Sequence, residues 1–252
     1  MKSKATITCL IAAVCSAAFL ASSQGASVIG INFCDGWENP HVSDGTADGL
    51  STWTDSRAVG DWTDPANQGT SLILTGSTTV GVTWSSANIW AAGDENNNEQ
   101  ALYREYLDDG DLGGGIGVRV TLTGLSAWLT AEGQTSFQIR AYCSTDTDGA
   151  TFQTITIHDG SLVTDPSLGT ISPAVLGDND YPTNPFDTTW DSRGYADSTT
   201  SLTADTITLT IPSRSGNTRG TLAALKITAI PESGTAILAA LGCMGLFVRR
   251  RR

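Results

Sequence analysis

The sequence predicts an all-β protein: a single antiparallel β-sandwich or jelly roll with one short helix. Three observations point there. Short runs of alternating apolar and polar residues recur between Val28 and Ile230, at the two-residue period of a half-buried strand. Gly, Asp, Asn and Pro interrupt these runs at short intervals, and long stretches of helical periodicity are missing. Thr, Ser, Gly and Asp are abundant over the same span, whereas Lys226 is its only lysine.

The elements follow in order. Val28 to Phe33 opens as a strand, and Asp35 to Gly69 reads as loop crossed by Leu50 to Thr54. Leu72 to Leu74 and Val80 to Trp84 are strands separated by a turn at Gly76-Ser77. Glu99 to Leu107 is the helical candidate, with Leu102, Tyr103, Tyr106 and Leu107 on one face and Asp108-Asp109-Gly110 as its stop. Ile116, Val118, Val120 and Leu122 alternate with polar or small residues, as do Phe137, Ile139, Ala141 and Cys143. Asp146 to Gly149 is a turn into a strand over Phe152 to Ile157, and Asp178 to Asp187 is a Pro-containing loop. Leu202 to Ile211 and Gly220 to Ile230 close the sandwich. No repeat of fixed period and no interdomain linker is visible.

The two ends differ from this middle. Lys2 and Lys4 precede the apolar stretch Ile7 to Leu20 and then small residues, the layout of a secretory signal peptide, with cleavage after Ser23 or after Gly25. At the other end Thr235 to Val248 is uncharged and runs into Arg249, Arg250, Arg251 and Arg252. As a helix this run reaches roughly 21 Å at ~1.5 Å per residue. That is a marginal span of the ~30 Å hydrocarbon core, helped by Ala229, Ile230 and snorkelling arginines. The arginines act as the membrane stop and stay cytoplasmic. The expected organisation is a signal peptide over 1–25, an exported sandwich over 26–230 and a C-terminal transmembrane segment within 231–252.

The order short motif, apolar helix, basic end resembles the PEP-CTERM sorting signal of bacterial exopolysaccharide-associated proteins. Pro231 and Glu232 match the first two motif positions, and Ser233 stands where the family has a second proline. The resemblance implies processing by signal peptidase and by an exosortase, a membrane-embedded cysteine transpeptidase. It also implies a final place in the cell envelope or extracellular matrix. The run Leu102 to Asp109, followed by Val118 to Leu125 and Phe137 to Tyr142, looks like the jelly-roll domains of such envelope proteins. It is loosely similar to galactose-binding-like and malectin-like modules.

Charge and cysteines narrow the function classes. Between Ala26 and Ile230 eight Lys and Arg face 25 Asp and Glu, a net −17 against −12 for the whole chain. Nucleic acid needs a basic footprint and is excluded as a partner, as is docking on anionic lipid. Of five cysteines only Cys34 and Cys143 lie in the exported part. In an oxidising compartment they form a candidate disulfide, worth ~4 kcal/mol by loop closure. His41 and His158 are too far apart in sequence to complete a zinc cluster with them.

Asp94, Asn96, Asn98 and Glu105 have the spacing of oxygen ligands in a calcium loop. Glu99 occupies the position that needs glycine, so the stretch reads first as a helix cap and calcium stays the weak alternative. Trp84 and Trp128 read as core, whereas Trp37, Trp53, Trp62 and Trp190 lie among loop acids and amides as candidate sugar contacts. No Gly-x-Ser-x-Gly accompanies the histidines, and Gly113-Gly114-Gly115 lacks the Lys of a phosphate loop. Carboxylate pairs for glycan hydrolysis need a spatial test. The expected protein is therefore a non-enzymatic exported envelope component with a structural or adhesive role. The alternative is a carbohydrate-binding module for extracellular polysaccharide, with a hydrolase behind it.

Overall fold

The computed structural model of the chain describes residues 27–33, 45–56, 72–91, 98–147, 149–176 and 192–231. Its frame is two six-stranded sheets. Across the first run β12 (Ala174–Val175), β13 (Ser192–Asp197), β8 (Ser136–Thr145), β16 (Ala224–Ile230), β1 (Val28–Asn32) and β2 (Trp53–Asp55). Across the second run β11 (Ser167–Ile171), β10 (Ile155–Asp159), β14 (Ile207–Pro212), β7 (Ile116–Thr123), β4 (Gly81–Ser86) and β3 (Leu72–Ile73).

The alternation seen in the sequence places the core. Ile29 and Ile31, Phe137, Ile139, Ala141 and Cys143, and Leu225, Ile227 and Ala229 point inward from the first sheet. They meet Val82, Trp84, Val118, Val120, Leu122, Ile155, Ile157, Ile207, Leu209 and Ile211 from the second, all in one buried cluster. Each large aliphatic side chain removed from water there contributes ~1.5–3 kcal/mol. The all-β expectation holds, with two departures from purely antiparallel pairing. β1 pairs parallel with β2, and β9 (Thr151–Phe152) pairs parallel with β15 (Thr218–Arg219).

A second buried cluster covers the outer face of the first sheet. Helix α1 (Asn98–Arg104) lays Ala101, Leu102 and Tyr103 against Tyr142 and Ala224, together with Ala47, Leu50 and Trp53. The helix ends earlier than its periodicity predicts. From Glu105 the chain forms β6 (Glu105–Asp108), paired antiparallel with β5 (Asn88–Ala91). Leu107 exchanges two backbone hydrogen bonds with Leu222, so tertiary pairing overrides helical pattern at Tyr106 and Leu107.

A second helix, α2 (Leu125–Ala131), follows β7, where the sequence predicts no helix. Gly124 at φ 73° breaks the strand, and a Cβ there would fall 2.1 Å from the Thr79 carbonyl oxygen. Leu125, Trp128 and Leu129 are its buried face. Two further expected strands are shorter. Phe152 to Ile157 divides into β9 and β10, and Leu202 makes only a single bridge to Phe137 before β14 begins.

Register gives the sandwich two poles. Val28 pairs with Thr228 and Ile230 with Ser136, and the Ala229 N–H donates to the Ser27 carbonyl at 2.8 Å. The first and last strands therefore meet the rest of the chain at one pole. Thr145 of β8 lies at the other, roughly 30 Å away at ~3.4 Å per residue. Among the described residues no helix is long and apolar enough to cross a membrane; the expected signal peptide and C-terminal span lie outside those residues.

Candidate functional site

The pole away from Val28 and Ile230 carries a cleft of about 370 Å³, lined by Asn88, Ile89, Trp90, Asp108, Asp146, Thr147, Arg214 and Arg219. Three pieces of the fold converge there. The β5–β6 pair supplies Asn88, Trp90 and Asp108, with Asn88 opposite Asp108 in register. The turn leaving β8 supplies Asp146 and Thr147, and β15 supplies Arg219.

Arg219 is the hub. It is 9% exposed, and its Nε and Nη2 donate to both carboxylate oxygens of Asp109 at 2.9 and 3.0 Å, a bidentate pair. Nη2 also reaches Asp108 Oδ1 at 3.0 Å, and Nη1 reaches Thr147 Oγ1 at 2.7 Å. The Gly220 backbone N–H adds a 3.1 Å bond to Asp109 Oδ2. Burial opposes the guanidinium's charge, but the hydrogen bonds and charges of Asp109 and Asp108 outweigh it and raise its pKa. Asp108 is held above the usual carboxylate range by burial and by the neighbouring charge of Asp109, against the pull of Arg219.

Trp90 forms the open wall. It is 47% exposed, and its indole N–H donates to Asp146 Oδ2 at 3.0 Å. Tyr106, buried beneath, donates its hydroxyl to Asp146 Oδ1 at 3.3 Å and accepts from the Asp146 N–H at 3.2 Å. Burial pushes the Tyr106 phenol well above its ordinary pKa, so it stays a neutral donor. Asp146, with its side chain 45% exposed, is thus fixed by two aromatic partners while still facing solvent. An oriented aromatic face beside fixed acceptors and guanidinium donors can stack on an apolar ring face and bond hydroxyls around its rim.

Of the residues chosen from sequence, the described ones lie outside this cleft. Trp53 is 2% exposed in β2 rather than in a loop. Its N–H donates to the Ala47 carbonyl at 3.0 Å, and its ring meets Tyr142 edge-on and lies over Gly30. It is a packing residue with no face left for a sugar. Trp37, Trp62 and Trp190 lie outside the described residues.

Of the calcium spacing, Asn98 lies at the start of helix α1, which runs to Arg104, and Glu105 is buried at the start of β6. Asp94 and Asn96 lie outside the described residues, among which no cluster of three or more metal-ligating side chains occurs.

Cys143 carries a free thiol on the inner face of β8, with its pKa pushed up by burial. Its expected partner Cys34 lies outside the described residues, as do Glu232, Ser233 and Arg249 to Arg252; Pro231 directly follows β16, exposed. His158 is a structural clip, Nδ1 on the Asp165 carbonyl at 3.0 Å and Nε2 on Thr210 Oγ1 at 2.9 Å.

The cleft itself was missed in sequence because its key contact, Asp109 with Arg219, joins residues 110 positions apart. The local signals are Trp90, which nothing sets apart from the other tryptophans, and Asp108, Asp109 and Asp146, acids that in sequence read as turn residues and only weakly as calcium ligands. Comparison with protein-family models, curated proteins and solved structures finds no match to this chain.

Proposed function

We propose that this chain is an exported protein of the cell envelope or extracellular matrix with an adhesive or structural role. It is a jelly-roll-type sandwich sorted by its PEP-CTERM-like tail. Signal peptidase removes residues 1–25. The apolar run before Arg249 to Arg252 then holds the chain in the membrane until an exosortase acts near Pro231, Glu232 and Ser233. No catalytic step is assigned to it.

One geometric fact supports this beyond the layout of the ends. β1 and β16 lie side by side and antiparallel, so both processed segments join the sandwich at the same pole. A tether at that pole leaves the opposite pole, with its cleft, turned outward. The acidic composition suits a solvated extracellular surface and not one lying on anionic lipid.

Terminal sequencing of the mature protein together with membrane fractionation tests the proposal. Loss of the signal peptide, with the chain in envelope or medium, is expected. Recovery from cytosol with Met1 and Arg252 both attached overturns it.

A further inference from the structure

We infer that the cleft at the outward pole binds a neutral saccharide, with one pyranose ring stacked on Trp90. This deepens the adhesive role proposed above, and only the assignment of that saccharide to an extracellular polysaccharide rests on it.

Volume, shape and chemistry agree. The cleft, at about 370 Å³, sits at the lower end of the ~300–1,000 Å³ range of small-molecule sites. It has room for a short saccharide and not for a folded partner. Of the two large apolar side chains in the lining, Ile89 is buried and the Trp90 indole is exposed, and its orientation is set before any ligand arrives by the bond to Asp146. Pre-orientation of that kind lowers the entropic cost of binding. Around the ring stand acceptors and donors in the mixture a polyol needs: the Asp146 carboxylate, the Asn88 amide, the Thr147 hydroxyl and the Arg214 guanidinium.

Charge selects among glycans. Arg219 is already engaged by Asp109 and Asp108 and lies 4.0 Å from Asp146, so the cleft's two guanidiniums, Arg219 and Arg214, face three carboxylates. An anionic glycan therefore finds no uncommitted excess of positive charge, and it must approach an exported body of net −17. A neutral ring uses donors and acceptors alike and meets no such barrier.

The test is titration of the full-length chain, purified in detergent, with neutral gluco-, manno- and galacto-oligosaccharides, and with oligogalacturonate as the anionic control. At least one neutral series is expected to bind and to shift tryptophan emission. Trp90→Ala should weaken that binding about tenfold, equivalent to ~1.4 kcal/mol for an aromatic-face contact, while Trp90→Phe keeps part of it. Tyr195→Ala, which removes another exposed aromatic in β13 away from the cleft lining, should leave it unchanged. Circular dichroism confirms that each variant is folded. No binding of any neutral series at millimolar concentration, binding indifferent to Trp90→Ala, or tighter binding of oligogalacturonate each overturns the inference. A cytosolic, unprocessed chain that still binds through Trp90 would sink the export proposal and leave this one standing.

Discussion

Replacing Arg219 by methionine is the sharpest test of how the outward pole is held together. The substitution keeps a long apolar stem and deletes the guanidinium. It leaves Asp109, with a side chain only 4% exposed, without its bidentate partner, and it removes one hydrogen bond each from Asp108 and Thr147. Removing one member of a buried ion pair costs about 3–5 kcal/mol, because the remaining charge stays desolvated. At ~2–4 °C per kcal/mol for a domain of this size, the melting temperature should fall by roughly 6–20 °C.

The pH dependence carries a definite sign. Without Arg219 the pull that opposes burial and the neighbouring Asp109 charge at Asp108 is gone, so the folded pKa of Asp108 stands further above its unfolded value. Folded protein then binds more protons than unfolded between those two values, and stability falls as pH rises through that window. The deficit of Arg219→Met should therefore narrow on acidification from pH 7 toward about pH 4. Adding Asp109→Asn should recover part of the loss at neutral pH. Urea unfolding followed by tryptophan fluorescence reads all three. A deficit below about 1 kcal/mol, or one that does not change with pH, would refute the claim that this ion pair is desolvated and structurally required.

Other expectations are simpler. Gly30→Ala would put a Cβ 2.7 Å from two ring carbons of Trp53, and should cost ~1–3 kcal/mol in urea unfolding unless β2 shifts away. Asp48 accepts from Lys226 and Tyr142 and lies 3.2 Å from Arg140; burial opposes its charge, but these bonds and charges outweigh it and hold its pKa below the usual value. Its contribution to stability should be complete above about pH 4 and lost as pH falls through that lowered pKa, so the gap between wild type and Asp48→Asn in pH-dependent melting should close in acid. Cys143 should resist maleimide under native conditions and react only once the chain is unfolded, as mass spectrometry would show.

Period-2 alternation was enough to read the inner faces of β7, β8, β14 and β16, since burial on one side leaves a pattern in a single strand. It was not enough for β5, β6, β11 and β13. Ser192 to Asp197 has no apolar alternation; it is a strand because β8 pairs with it from Thr145 to Arg140. Helix α2 was legible in principle, with Leu125, Trp128 and Leu129 at helical spacing, but the adjoining strand obscured it. Trp53 misled because its loop neighbours are polar, whereas its burial comes from Ala47, Tyr142 and Gly30, only one of which is near it in sequence.

The same contrast separates what holds the fold from what the surface can do. Along β8 the inward residues Phe137, Ile139, Ala141 and Cys143 belong to the core, and the outward Arg140 and Tyr142 join the Asp48 network. Where the strand runs out, Asp146 combines fixed aromatic partners with substantial exposure at the cleft. Asp48 and Arg140 are also bonded, but their partners are one another and Lys226, Tyr142 and Asp197, which satisfies the network within the sheet. Asp146 instead is held by Trp90 and Tyr106, with Arg219 4.0 Å away, while its side chain stays open to the cleft. Substitutions at Asp48 or Arg140 should therefore be read in melting temperature, and those at Trp90 in ligand affinity, and a Trp90→Ala protein that melts like wild type would show that the two roles have been kept apart.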